Sequence, residues 1–420
     1  MAQLTTSPRG TQDVLGDESY KWQYFERKLA SVCERFGYRE ARVPTFEHTE
    51  LFARGVGDAT DVVNKEMYTM LDKGGRSITL RPEGTSGVAR ALIQGGALAG
   101  PLPVRAYYIM SCFRYEKPQA GRLREFHQLG IELFGCDKPD ADCEVIRVAD
   151  TILREVGIKN VRLEINSIGC PSCRKTYHEA LYGYFKAREG ELCDTCRERL
   201  ERNPMRILDC KSPVCQEIAL GAPVMLDYLC DDCRDHFEHT KALLSEAGIG
   251  FEINTRIVRG LDYYTRTVFE FVHTAAGAQG TVCGGGRYDG LATLLGGPDT
   301  PAVGFGLGLE RLLSVAEAEG VDIPAPEPPA LFLAYLGDAG HTLARTLAEK
   351  LQSEGIKALY DINGRSLKAQ LKFADKTGAR YLVVIGDDEA ASGEAKLKRM
   401  SDGVEIPVPL DAARLTAALE

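Results

Sequence analysis

A chain of 420 residues, 44% hydrophobic and 26% charged, holds enough apolar material for a packed core and for more than one domain. Its formal net charge of −9 argues against nonspecific coating of nucleic acid, although a local basic surface can still dock RNA on an acidic protein. No apolar run approaches the ~18 residues of a membrane span and the start, MAQLTTSPRGTQD, has no export-signal core, so the thirteen cysteines are expected as reduced thiols or metal ligands in a cytoplasmic protein.

In chain order, Tyr20 to Phe36 carries apolar residues at helical spacing, with Gly37 as a stop, and ARVPTFEHTELF then reads as a strand turning at Pro44 into a helix. An alternating strand from Ser77 ends at Arg81-Pro82, and a helix follows from Gly84 or Thr85. Glu83 at that helix start is either a carboxylate favoured by the dipole or the group that holds a substrate ammonium. Tyr107 to Phe113 and Phe126 to Phe134 flank a turn rich in Gly, Pro, Lys and Arg, which makes a long hairpin. Arg114 follows the first arm, while Gln128 and Glu132, four apart on the second, share one face. Singly, each is a solvated polar group; together they form a pocket wall edged by a guanidinium, suited to an anionic substrate with hydrogen-bonding groups.

Asp140 to Val156 is an amphipathic helix, and KNVRLEINSIG from Lys159 alternates as a strand. Between about Cys170 and Phe251 the sequence becomes charged, cysteine-rich and helical, as an insertion would. It holds four close pairs: Cys170 with Cys173, Cys193 with Cys196, Cys210 with Cys215, and Cys230 with Cys233. Eight thiolates so spaced suit two four-cysteine zinc sites, and no open coordination position for a catalytic metal is evident. RGLDYYTRTVFEF from Arg259 is a turn leading to the strand Tyr264 to Phe271, TVCGGGRYDGL from Thr281 places three glycines in a row, and PAVGFGLGLERLL from Pro301 is a strand feeding a helix that carries Glu310 and Arg311. IPAPEPP marks a linker, after which Ala330 to Glu420 alternates strand and helix as a small α/β domain with a mostly parallel sheet.

FRYE, the loop after it and the HQLG return resemble motif 2 of the class II aminoacyl-tRNA synthetases. REFHQLGIELFG, RPEGT, RGLDYY and TVCGGGRYDGL resemble the histidyl-tRNA synthetase family, and GFGLGLERLL resembles motif 3. The resemblance implies an α+β catalytic domain with an antiparallel sheet (the class II synthetase fold) over 1–169 and 251–323, a helical insertion over 170–250, a linker over 324–329 and a C-terminal α/β anticodon-binding domain over 330–420. It implies a homodimer, through the segment around Pro44, that activates L-histidine with ATP and Mg²⁺ and charges tRNA(His). By the same resemblance Arg114 and Arg259 flank the α-phosphate and Arg311 holds the γ end. Glu83 and Thr85 take the histidine amino group, Gln128 its carboxylate, Glu132, Tyr264 and Tyr288 surround the ring, and Tyr263 also lines the amino-acid pocket. Gly304, Gly306 and Gly308 leave room for adenine. The family's insertion is not generally a zinc domain, which leaves the metal reading open. The alternative is a non-catalytic histidine-sensing relative; that subunit lacks the C-terminal domain and usually erodes the histidine signature, both of which this chain keeps.

Overall fold

Period-two alternation in six long segments decides the architecture, because each segment offers one apolar face to helices and leaves the other free to build a site. The computed structural model describes residues 5–57, 60, 62–119, 121–208, 210, 212–257, 261–274 and 280–419, and the chain divides into two compact units, Met1–Ile323 and Pro324–Glu420. Arg259 lies outside the described residues.

In the first unit the strands are β1 (Arg39–Glu40), β2 (Phe46–His48), β3 (Thr69–Leu71), β4 (Ser77–Leu80), β5 (Val104–Phe113), β6 (Glu125–Phe134), β7 (Val161–Ser167), β8 (Glu252–Ile253), β9 (Thr265–His273), β10 (Thr281–Arg287) and β11 (Ala302–Gly308). Among the described residues, eight of them form one sheet in the order β1-β5-β6-β11-β10-β9-β7-β8, antiparallel except for the parallel edge pairs β1–β5 and β7–β8. The other three pair as β2-β4-β3.

One face of the large sheet is apolar. Leu129, Ile131 and Leu133 of β6, Val303, Phe305 and Leu307 of β11, Phe269 and Phe271 of β9, and Leu163 and Ile165 of β7 pack against helices that include Gly16–Arg35, Pro139–Glu155 and Leu309–Ala318. Burying a side chain of that size contributes about 1.5–3 kcal/mol, so this layer carries most of the unit's cohesion. The insertion has a second core around Tyr177, Leu181, Phe185 and Leu200, yet its last helix, Asp231–Glu246, returns Phe237 and Leu244 to the main core. The insertion is therefore less separable than the composition shift at residues 170–250 suggests.

A charged knot joins these parts. Arg287, fully buried at the end of β10, donates through Nε to Asp142 of the helix Pro139–Glu155 at 3.1 Å and through Nη1 to Asp289 at 3.1 Å, and His236 of the insertion's last helix lies 3.1 Å from Asp142 Oδ2. Burial pushes the Asp142 carboxyl up, but the Arg287 charge and the bonds from His236 and Arg287 outweigh it and bring its pKa down to about 2.

The second unit adds β12 (Leu331–Tyr335), β13 (Ala358–Tyr360), β14 (Tyr381–Ile385), β15 (Glu394–Arg399) and β16 (Glu405–Pro409) in the order β13-β12-β14-β15-β16. Only β13, β12 and β14 run parallel; β15 and β16 form an antiparallel hairpin on one edge, so the expected mostly parallel sheet is half antiparallel. The hairpin escapes a periodicity reading because EAKLKRM buries only every second residue and is otherwise charged. At the end of β12, Gln370 accepts from Tyr335 N and donates to Tyr335 O at 2.9 and 3.0 Å, taking the place of a neighbouring strand.

Removing Arg287 would strand a buried carboxylate. Arg287→Met is expected to cost about 3–5 kcal/mol, read as a lower urea midpoint. Because the folded pKa of Asp142 lies below its unfolded value of ~3.9, its contribution is present above about pH 4 and lost as the pH falls towards about 2. Urea midpoints of the wild type should therefore drop across that window, and those of Arg287→Met should drop less.

Candidate active site

The face of the large sheet opposite the helices has a gap in its side-chain layer. Tyr108, Gly130, Gly306, Gly284, Glu270 and Glu164 are successive register partners across β5, β6, β11, β10, β9 and β7. Three adjacent strands thus present glycine, and the floor between them is bare backbone. A Cβ at Gly130 would collide with the Tyr108 ring, one at Gly306 with the Gln128 amide, and one at Gly304 with Glu132 and the Tyr288 hydroxyl. The glycines are required both for the flat floor and for the side chains that border it.

Over this floor lies a cavity of about 580 Å³. Glu83, Thr85, Tyr263, Tyr264 and Tyr288 line one part of it, and Arg114, Glu116, Gly121, Arg122 and Arg311 line another. Glu83 sits at the start of the helix Thr85–Gln94 and accepts from Thr85 N at 2.5 Å and Ser86 N at 2.9 Å. It therefore caps the helix, as the dipole reading expects, and it also lines the cavity. The tyrosines form a box: ring centroids are 4.7 Å apart for Tyr263 and Tyr264 and 5.3 Å for Tyr263 and Tyr288. Burial pushes the Tyr263 hydroxyl well above its ordinary range, so that hydroxyl stays protonated.

Glu132 lies behind this box rather than on the cavity surface. Its carboxyl accepts from Thr85 Oγ1 at 2.7 Å and from the Tyr288 hydroxyl, and it is almost completely buried. Burial holds Glu132 well above the usual carboxylate range, with the Thr85 bond offsetting part of the effect. Gln128, four residues earlier on the same face, does reach the cavity.

The basic part is built from a strand end, a loop and a helix start. Arg114 donates through Nε to Pro82 O at 2.8 Å and stacks its guanidinium on Phe126 at 5.2 Å. Arg311 donates through Nη1 to Thr281 O at 2.7 Å. Burial lowers the Arg311 pKa and the nearby Arg122 lowers it further, as expected where cations converge in a site that suits phosphate. Glu310, beside Arg311, accepts from His127 N at 2.8 Å, locking this helix start to β6. Behind the strand end, Arg81 donates to Ser111 O at 2.6 Å and to Val43 O and Pro44 O at 2.8 and 3.1 Å.

The structure thus gathers Glu83, Thr85, Gln128, Tyr263, Tyr264, Tyr288, Arg114, Arg311, Gly306 and Gly308 around one cavity. Sequence reasoning missed Glu116, Arg122, Glu164, Asn254, Arg256 and Glu270, which also line it. Glu270 carried a signal: it is the polar residue inside FEF, on the face that register pairs with Gly284. Asn254 and Arg256 lie in an irregular turn after β8 and carried none.

Residues 10–181 and 218–312 match the family model for histidyl-tRNA synthetase, and residues 331–415 match an anticodon binding domain. The chain belongs to the histidyl-tRNA synthetase family. It is 54% identical to the histidine--tRNA ligase of Caldanaerobacter subterraneus subsp. tengcongensis over 97% of this chain and 98% of that one, and 53% identical to that of Acetivibrio thermocellus over the same shares. The solved apo histidyl-tRNA synthetase of S. aureus superposes with a TM-score of 0.83 at 39% identity, covering 98% of this chain and 99% of that one. The α+β catalytic unit and the C-terminal α/β unit are thus the synthetase family's fold. Among the described residues no helix is long and apolar enough to cross a membrane.

Gly306→Val tests the floor. A Cβ at this position meets first the amide end of the flexible Gln128 side chain, so near-wild-type circular dichroism and melting are expected alongside at least tenfold weaker ATP binding in calorimetry, about 1.4 kcal/mol.

Proposed function

We propose that this chain activates L-histidine with ATP and then transfers it to tRNA(His). The observation that carries the reading is one cavity with an aromatic box and a carboxylate in one part and converging guanidinium groups in another, over a floor stripped of side chains. In the first step a histidine carboxylate oxygen attacks the α-phosphorus, the bond to the bridging oxygen breaks, and pyrophosphate leaves. In the second a tRNA ribose hydroxyl attacks the acyl carbon, its proton passes to solvent, and AMP leaves with the bonding pair. Neither step needs a side-chain nucleophile, so positioning and neutralisation of oxygen charge do the catalysis.

Glu83 receives the histidine ammonium, assisted by the Thr85 hydroxyl, and Gln128 orients the carboxylate. The imidazole lies among Tyr263, Tyr264 and Tyr288, with Glu132 behind them fixing the Tyr288 hydroxyl and so the polarity that the ring meets. A buried polar group left unpaired by the wrong amino acid provides the selectivity. Arg114 faces the α-phosphate and Arg311 the far phosphates, and Arg259 is assigned to the α-phosphate on its match to the family motif. Glu116, Glu164 and Glu270 offer the hard oxygen donors that Mg²⁺ prefers, and the bound ion would neutralise part of the triphosphate charge. The anticodon-domain match over residues 331–415 supports a tRNA partner.

The reading includes a homodimer. On the β2-β4-β3 sheet, Phe46 and Met70 share a face with Ile78 and Leu80 and are 55% and 45% exposed, an apolar surface beside the Pro44 segment. Paired substitution of Phe46 and Met70 by glutamate is expected to halve the mass measured by sedimentation; a wild type that already sediments as a monomer would remove the dimer from the reading, and a variant that keeps a dimer's mass would remove this surface from it.

Histidine-dependent exchange of pyrophosphate into ATP tests the chemistry, since a histidine-sensing relative shows none. Glu83→Gln keeps a helix cap and is expected to raise the histidine KM at least tenfold while moving the ATP KM little. Arg114→Ala is expected to lower kcat for exchange about 10²-fold or more. Equal effects of both variants on both substrates would contradict the division of the cavity.

A further inference from the structure

The insertion holds eight cysteines in two nested groups. Cys170 and Cys173 meet Cys230 and Cys233, and inside that span Cys193 and Cys196 meet Cys210 and Cys215; within each group all sulfurs lie within 4.8 Å of one another. We propose that each group binds one zinc ion, giving two closed, structural four-thiolate sites per chain.

Distances fit a single tetrahedral ion in each group. Tetrahedral zinc with Zn–S bonds of ~2.3 Å sets its sulfurs about 3.8 Å apart. Cys170 Sγ and Cys173 Sγ are 3.5 Å apart, and Cys193 Sγ and Cys210 Sγ are 3.8 Å apart. Disulfides need ~2.05 Å, and all eight residues are free thiols. A four-iron cluster needs its thiolates farther apart, since each binds a separate corner of a cube.

The local backbone is arranged for negative sulfur. Cys170, Cys193 and Cys230 are the N-cap residues of the helices Pro171–Lys186, Asp194–Arg202 and Asp231–Glu246, and Cys173, Cys196 and Cys233 lie in their first turns. Cys215 is in the first turn of the helix Pro213–Leu220. Both pairs of sulfurs in the outer group, and three of the four in the inner, thus face positive helix ends. Backbone N–H groups add direct bonds: Cys230 N to Cys173 Sγ at 3.1 Å, Cys193 N to Cys215 Sγ at 3.3 Å and Ser212 N to Cys210 Sγ at 3.4 Å. Such donors hold a metal-bound thiolate in place and offset the surplus negative charge of a four-thiolate site.

The need for metal is also visible. Between β7 and the helix Asp231–Glu246 no strand is present among the described residues, two of the three α-helices, Asp194–Arg202 and Pro213–Leu220, are short, and cysteines are prominent in the small core. Two ions would supply the cohesion that so little apolar surface cannot. The outer site would clamp the point where the chain leaves β7 to the point where it returns, and the inner site would staple the middle.

Elemental analysis of the full chain tests this. Two zinc per chain are expected, falling to one in the double variant Cys193→Ser/Cys196→Ser and to one in Cys230→Ser/Cys233→Ser. Should those variants fail to fold, the wild type still decides: mercurial titration of its thiols should release two zinc, and cobalt-loaded protein should show tetrahedral four-thiolate spectra. Iron in place of zinc, a single ion per chain, or metal-free protein with eight freely reacting thiols would each overturn the assignment.

Discussion

Everything in the catalytic unit depends on an absence of side chains in one row of a sheet. Gly130, Gly306 and Gly284 stand side by side in register, so the sheet is sealed by apolar residues on one face and bare on the other. The same alternation that sends Ile131 and Phe305 into the core sends these glycines outward. Glycine in strands weakens them, by about 0.5–1 kcal/mol each relative to alanine, and the core behind this floor is what offsets that cost.

Charge is arranged in depth around the floor. Thr85 couples Glu83, at the cavity surface, to Glu132, in the layer beneath: its N–H bonds the first and its hydroxyl the second. The low-polarity position of Glu132 holds its pKa high, and the helix start keeps Glu83 bonded to two N–H groups. Two carboxyl groups so close in space are thereby given different environments, one suited to a cation and the other to fixing a hydroxyl.

The sequence made the sheet, the helix start behind Glu83 and most of the wall legible, because strands and helix starts follow periods and caps that local sequence carries. Gln128 and Glu132 show both the strength and the limit of that reasoning. Their shared face is a matter of period two, but which of them reaches the cavity depends on Tyr288, a residue 156 positions beyond Glu132. Glu164 and Asn254 come to the rim through strand order, and the parallel β7–β8 edge has no local signature. The antiparallel edge of the second unit was hidden likewise, its lysine-rich strand reading as a solvated charge run.

Arg81 has a mechanical consequence. One guanidinium grips the carbonyls of Val43 and Pro44 on one side and of Ser111 on the other, while the next carbonyl along, that of Pro82, steadies Arg114. The Pro44 segment is thus joined to the Arg114 guanidinium at the cavity by a route of two residues, Arg81 and Pro82, that bypasses the glycine floor.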